Sequence, residues 1–496
     1  MPSEAYLTLE NYFQRISTLS GIESVLHWDA AAVMPEGGSQ TRGEQIAELR
    51  ATIHNLMTTP KIEELIDAAE TDKSLTKWQC ANVKEMRRKW INATALDANL
   101  VIALSKAEVA CETAWREARS MGNFKIVLPK LECLVPLIRE SATARANKLN
   151  VGTYDALLNT FESGYSSNKI AALFSNLETF LPGLLNDVIE HQKSRPFIIP
   201  KGPFSEEKQR ALGKRFMLAL GFDFKHGRLD VSQHPFCGGV PEDIRITTRF
   251  NQDDFTSSLM GILHESGHAL YERGLPKNWR LQPVGEPLGM AIHESQSLLV
   301  EMQVCRSRDF VEFAAPIIRE FLGDDGPAWD SENLYRLHTE VKRSFVRVEA
   351  DEVSYPLHII LRFQLEKAII EDSIKVSDLP LAWNEKFEKL MGISVPNDQY
   401  GCLQDIHWYD GAWGYFPTYT LGALIASQLF QSAIIEIPSI HQDIRNGNFS
   451  PLIGWLERNI HQSGKLLESE ELLKRVTSKP LDPFFFKNHL RSRYLS

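Results

Sequence analysis

Apolar positions recur at helical spacing along almost the whole chain. Over positions 7–26, Tyr12, Ile16, Leu19 and Ile22 mark one face, and His27-Trp28-Asp29 followed by Met34-Pro35-Glu36-Gly37-Gly38 predicts a loop. Ser39 or Thr41 can cap a second helix through Ile46, Leu49, Ile53 and Leu56. The same period predicts helices over about 61–69, 75–93, 98–121 and 124–149, then a pair at 170–177 and 181–194, and another at 205–220. Further on it predicts 310–322, a long stretch at 332–369 interrupted near Tyr355-Pro356, 382–391, and a closing series from 421 to 477. Short connections, and no low-complexity linker or internal repeat, predict one large, mainly α-helical domain over 1–496. Within it, 1–200 reads as a mostly helical cover and 201–496 as the part that carries the candidate chemistry.

Two stretches break the period. Arg228-Leu229-Asp230-Val231 and Asp243-Ile244-Arg245-Ile246-Thr247-Thr248 alternate, with Gly238-Gly239 between them, and predict a small antiparallel sheet over about 227–250. Asp243, Arg245 and Thr247 would share one face of its strand. Beside a catalytic helix, such an edge can hold an extended peptide by main-chain hydrogen bonds; an ordinary exposed edge fits the pattern equally well. The second break, from Tyr409 to Tyr419, is dense in Gly, Trp and Tyr, and reads as a pocket wall or as aromatic core.

Composition narrows the function classes. At 496 residues, with 43% apolar and 24% charged residues, the chain buries a large core. A net charge of −10 without a Lys/Arg run argues against nucleic acid as a partner. No basic-then-apolar leader opens the chain, and no apolar run approaches the roughly 18 residues of a membrane span. The six cysteines lack C-x-x-C spacing and read as reduced thiols, so the expected compartment is the cytoplasm.

The candidate chemistry lies at His264-Glu265-Ser266-Gly267-His268. Phe255, Leu259, Ile262, Leu263 and Leu270 give this segment the apolar face of a helix, which places His264 and His268 one turn apart on one side. That separation suits two imidazoles on one zinc ion, with Glu265 placed to act as a general base and Gly267 leaving room beside a ligand. A second motif, His293-Glu294-Ser295-Gln296-Ser297, opens another amphipathic segment after a loop, and Glu294 can supply a third ligand. Two His and one Glu form the set of a catalytic zinc rather than a structural one.

These pieces, in this order, resemble the M32 family of metallocarboxypeptidases. The resemblance runs along nearly the whole chain: His27-Trp28-Asp29, His234-Pro235-Phe236, D-x-R-x-T at Asp243/Arg245/Thr247, and both metal motifs. It continues through R-x-x-A-D at Arg347/Ala350/Asp351, G-x-x-Q-D-x-H-W at Gly401–Trp408, and Gly414-Tyr415-Phe416-Pro417-Thr418-Tyr419. The family often has Ile where this chain has Val346, and polar or aromatic residues where it has Leu298-Leu299-Val300. The resemblance implies a helical fold with a deep central groove, a homodimer, and release of single residues from peptides with a free carboxyl terminus. Zinc is the implied metal, one per subunit on His264, His268 and Glu294, with cobalt as a substitute.

A free carboxylate needs a fixed cation, and Arg347 is the first candidate, with Arg245 the second. Pairing of Arg347 with Glu349 or Asp351 is the competing, purely structural reading. His407 and Tyr415 are candidate oxyanion donors, with Tyr419 as the alternative. His293, Asp243, Gln404 and Asp405 are candidates for substrate contact or support. The rival functions are another zinc peptidase of helical groove type, releasing dipeptides or internal fragments, and a helical binding protein with a vestigial metal site.

Overall fold

The architecture, described over residues 2–496 in a computed structural model, is helical apart from one three-stranded sheet. The first helix, Glu4–Ala32, runs straight through His27-Trp28-Asp29, where a loop was expected. Trp28 explains the extension. Its ring is buried and lies against the Arg228 and Arg245 guanidinium groups, at 4.9 and 4.3 Å, so the last turns are held down on the sheet. The next helix, Ser39–Met57, starts after a short 3-10 turn with no side-chain cap, so neither Ser39 nor Thr41 plays that part. The expected pair at 170–194 is one helix, Ser167–Gln192. Its buried stripe (Phe174, Leu177, Leu181, Leu184, Leu185, Val188) passes Pro182 without a break.

The long stretch at 332–369 departs most. A helix ends at His338, the chain is irregular apart from a 3-10 turn at Arg347–Glu349, and a new helix runs from Tyr355 to Ile370. Asp351 ends the irregular part: its Oδ1 accepts from the Val353 and Ser354 amides, both at 3.0 Å, and its Oδ2 accepts from the Ser354 hydroxyl at 2.8 Å. Such local bonds offer the backbone an alternative to the helix, and they leave Arg347 on a turn rather than on a helix face.

The sheet is mixed, not antiparallel. Its strands are β1 (Gly227–Val231), β2 (Phe236–Val240) and β3 (Asp243–Thr248), in the order β1-β3-β2. β3 pairs antiparallel with β2 and parallel with β1. Gly238-Gly239, expected between the two strands, lies within a third, β2; the reversal into β3 falls at Pro241-Glu242. β3 is therefore central, and its main-chain groups are taken on both sides. An edge for an extended peptide belongs to β2 or β1, not to the strand carrying Asp243 and Arg245.

Among the described residues, the buried apolar side chains gather mainly into three clusters. Tyr6, Leu9, Phe13, Ile62, Ile66 and Met86 close a core of their own between the first helices. Ile244 and Ile246 pack with Met217, Phe222, Ile262 and Ala269, joining the sheet to the helix Phe255–Gly274. The third and largest cluster unites the remaining helices. Among the described residues, no helix is long and apolar enough to cross a membrane.

Candidate metal centre

The helix Phe255–Gly274 is capped by Asp254, whose Oδ1 accepts from the Thr256 amide at 2.8 Å. Its predicted apolar face is buried, which turns His264 and His268 together; their ring centroids lie 5.0 Å apart. Glu294 comes from the helix Gly289–Leu298, which continues as a π-helix over Leu299–Cys305. Two glycines let these elements close on each other. A Cβ at Gly267 would sit 2.6 Å from both Gln296 O and Ser297 Cα, so Gly267 serves helix-to-helix contact rather than space beside a ligand. A Cβ at Gly422, in the helix Pro417–Glu436, would sit 2.7 Å from Glu294 Cγ. Glu294 is thus gripped between two helices.

The three donors, one ligand atom from each of His264, His268 and Glu294, lie within 4.8 Å of one another. Glu294 Oε2 is 3.8 Å from His264 Nε2 and 3.4 Å from His268 Nε2. Both imidazoles are oriented from behind. His264 Nδ1 meets Glu301 Oε2 at 3.0 Å, and Glu301 in turn accepts from Arg306 Nη2 at 2.8 Å. His268 Nδ1 meets His293 Nδ1 at 2.6 Å, and His293 Nε2 meets Glu272 Oε1 at 2.8 Å. With both Nδ1 positions engaged, the two Nε2 atoms are left facing Glu294, and they are the nitrogens each ring would offer a divalent cation. The donor set fits such an ion.

Glu265 is 7% exposed, and its charge reaches Cys237 of β2. Burial, reinforced by the nearby Glu294 charge against the opposing pull of His264, pushes its carboxyl up to about 7, where a group can both take and return a proton. Burial also acts to raise Glu294, but His264 and His268 outweigh it and hold its carboxyl down at about 2. One carboxylate is therefore poised for proton transfer and its neighbour for charge.

The opposite wall stands on irregular chain. Arg347 is 7% exposed and gives Nε and Nη2 to Asp405 Oδ1, at 2.9 and 2.8 Å, and Nη1 to Tyr355 Oη at 2.8 Å. Its partner is thus Asp405, not Glu349 or Asp351. Arg362 takes the other oxygen of Asp405 at 2.6 Å. Burial opposes the charge on Asp405, yet the two guanidinium groups hold its carboxyl far below the usual range. Tyr419 lies against Arg347 at 4.9 Å, and its hydroxyl is 3.3 Å from His407 Nε2. Burial lowers His407 to about 4, against the pull of Asp405, so its ring is neutral near neutral pH. Burial, with the Glu294 charge added to it, raises the Tyr415 and Tyr419 hydroxyls, so both lie within reach of that carboxylate's field.

Not every expected residue faces this space. Gln404 is used internally: its Oε1 accepts from the Arg347 amide at 3.2 Å and from Arg362 Nη2 at 3.0 Å, and its Nε2 donates to Phe345 O at 2.6 Å. Arg245 is held by Asp243 at 2.6 Å and by the Trp28 ring. Both ring nitrogens of His293 are engaged behind His268. Sequence reasoning passed over Glu301, Glu272, Arg306, Tyr355 and Arg362. Glu301 had a signal, since it follows Glu294 by about two helical turns on the same face.

The chain is similar to known proteins over nearly its whole length. The family model described as Carboxypeptidase Taq (M32) metallopeptidase matches residues 8–494. Thermostable carboxypeptidase 1 of Thermus thermophilus is 34% identical, covering 99% of each chain. Carboxypeptidase 1 of Bacillus subtilis is also 34% identical, over 97% of this chain and 96% of the relative. Among solved structures, Trypanosoma cruzi metallocarboxypeptidase 1 superimposes with a TM-score of 0.98 at 38% identity, over 99% of this chain and 100% of the other. Pyrococcus furiosus carboxypeptidase gives 0.95 at 32% identity, over 100% and 99%. With two histidines and a glutamate that could hold a divalent metal, and a family match over residues 8–494, this protein is a member of the M32 family of metallocarboxypeptidases.

Proposed function

We propose that the protein is a zinc-dependent carboxypeptidase that releases single residues from peptide carboxyl termini. The observation that carries this reading is the disposition of Arg347. A guanidinium has five N–H donors, and Asp405 and Tyr355 take three, leaving one on each terminal nitrogen. That pair suits a substrate carboxylate held bidentately, beside Tyr419, whose hydroxyl lies within the field of Glu294. Zinc is the metal because two imidazoles and one carboxylate are its usual catalytic set, with cobalt as a substitute.

The bound ion would polarise the scissile carbonyl and lower the pKa of water. The chain does the rest. Arg347 fixes the last residue, so only the terminal peptide bond reaches Glu265. Glu265 takes a proton from the attacking water and returns it to the leaving amine. Tyr415, with His407 and Tyr419 behind it, donates to the developing oxyanion. The free thiols support a reducing compartment such as the cytoplasm, and the family likeness supports paired subunits.

Product analysis tests the reading. One synthetic peptide and its carboxyl-terminal amide are incubated with zinc-loaded protein, with and without chelator. Loss of one residue at a time from the free acid alone, stopped by chelator, is the expected result. Dipeptides, internal fragments or equal attack on the amide would contradict it.

A further inference from the structure

A short segment, Tyr154–Glu162, touches both walls of the site although it belongs to neither. The Met290 amide donates to Phe161 O at 2.9 Å, and the Ala291 amide donates to Glu162 Oε2 at 2.8 Å. These are the second and third residues of the helix Gly289–Leu298, whose N-cap residue, Leu288, provides no side-chain acceptor. Two of the four amides left open at that helix start are therefore satisfied from a distant part of the chain. The Glu162 carboxylate also meets the positive end of the helix dipole.

Glu162 is fully buried, and its other oxygen accepts from Ser469 Oγ at 2.7 Å. Neither oxygen takes a hydrogen bond from Lys or Arg among the described residues. Gly289 makes the approach possible: its φ is +71°, and a Cβ there would lie 2.6 Å from Glu162 Oε2.

The same segment reaches the other wall. The Phe161 ring meets Tyr415 edge-on, with centroids 5.0 Å apart. Tyr154 Oη bonds the buried Glu366 carboxylate, whose Oε2 accepts from Trp408 Nε1 at 3.0 Å and from the Gly414 amide at 3.4 Å. One bracket therefore holds both the helix that presents Glu294 and the loop that presents Tyr415.

We propose that Glu162 is a positioning residue of the metal centre. By capping the Gly289–Leu298 helix from outside, it sets Glu294 against His264 and His268, and through Phe161 it fixes that ligand relative to Tyr415. This rests on the metal site described above. Its effect shows in metal affinity and ligand geometry, not only in turnover.

The test uses the full-length protein. Zinc affinity is measured by chelator competition, the visible spectrum of the cobalt-loaded protein reports ligand geometry, and thermal melting of the metal-free protein is recorded alongside. Glu162→Ala should weaken zinc binding about 10- to 100-fold and shift the cobalt bands, the range found when outer-shell partners of metal ligands are removed. Glu162→Gln keeps an acceptor for the Ala291 amide and a donor for Ser469, and should restore both readouts. If Glu162→Ala does not fold, Glu162→Asp serves, because its shorter side chain retracts the carboxylate from Ala291; it should lie between the other two. Folded Ala or Asp variants with unaltered zinc affinity and cobalt spectrum, and only a lower melting temperature, would overturn the proposal. An unaltered protein that binds neither metal would overturn the metal site itself, and this inference with it.

Discussion

His264, His268 and Glu294 stand on two regular helices in backbone contact, whereas Arg347 stands on a 3-10 turn and His407 in irregular chain. The helical wall keeps its geometry by periodicity and close packing, with Gly267 and Gly422 removing the side chains that would separate the elements. The irregular wall lacks periodicity and is held by buried carboxylates instead. Asp405 ties Arg347 to Arg362, Asp351 starts the helix behind them, and Glu366 collects Tyr154, Trp408 and the Gly414 amide. The contrast also has a sign. Glu265, Glu294, Glu301 and Glu272 crowd the metal wall, while two arginines share one aspartate on the other. Negative charge therefore gathers on the first wall and positive charge on the second, the polarity that the proposed metal ion and peptide carboxylate would call for.

The largest effect should come from the metal wall. Chelation should abolish turnover and zinc should restore it, with far-ultraviolet circular dichroism unchanged, because hydrophobic cores rather than the ion hold the helices together. Glu265→Gln should retain stoichiometric zinc by elemental analysis and lose about 10²- to 10⁴-fold in kcat. Near-normal turnover would remove Glu265 as the base.

Next comes the irregular wall. Arg347→Ala should lower kcat/KM for free-acid peptides by an amount equivalent to about 2–5 kcal/mol, mostly through KM, while zinc affinity stays unchanged. An unaltered KM would move the carboxylate site elsewhere.

A smaller pair of variants asks whether the walls are independent. Gly422→Ala pushes a methyl group against Glu294 Cγ and should weaken zinc binding about tenfold, with little change in the KM of fully loaded protein. Asp405→Asn should do the reverse. Equal responses in both measurements would mean that the site is one coupled unit.

A separate effect, on stability rather than on binding or turnover, concerns pH. Burial pushes Glu366 up to about 7 from an ordinary 4.5, against the hydrogen bonds from Tyr154 and Trp408. The folded protein thus holds this proton more tightly than the unfolded chain. Its stabilising contribution is complete below about pH 4.5 and is lost as pH rises towards about 7, on the order of 3 kcal/mol at most. Glu366→Gln carries no such proton, so its melting temperature relative to the unaltered protein should climb between about pH 5 and pH 8. A constant difference would show that Glu366 is ionised throughout.

The same contrast explains what could be read from the amino-acid order. A 3.6-residue period is a local property, so His264, His268 and the apolar face beneath them were legible, and Glu301 could have been found by extending the face of Glu294. Arg347 was legible as a candidate, but its partner was not, because Asp405 lies 58 residues away and the competing Glu349 and Asp351 are near neighbours. The sheet went wrong at Gly238-Gly239, where two residues that usually mark a turn sit within a strand. The break expected at His27-Trp28-Asp29 failed because Trp28 gains its burial from arginines on strands about 200 residues later. Glu162 carries no local signal at all. Only the fold shows which helix it caps.

A crystal structure of the zinc-loaded Glu265→Gln protein with a free-acid peptide tests the two-walled site most directly. The account predicts one anomalous zinc peak bonded by His264, His268 and Glu294, with the terminal carboxylate on Arg347 and the last peptide bond between the walls. Zinc bound elsewhere, or a terminal carboxylate on Arg245, would contradict it.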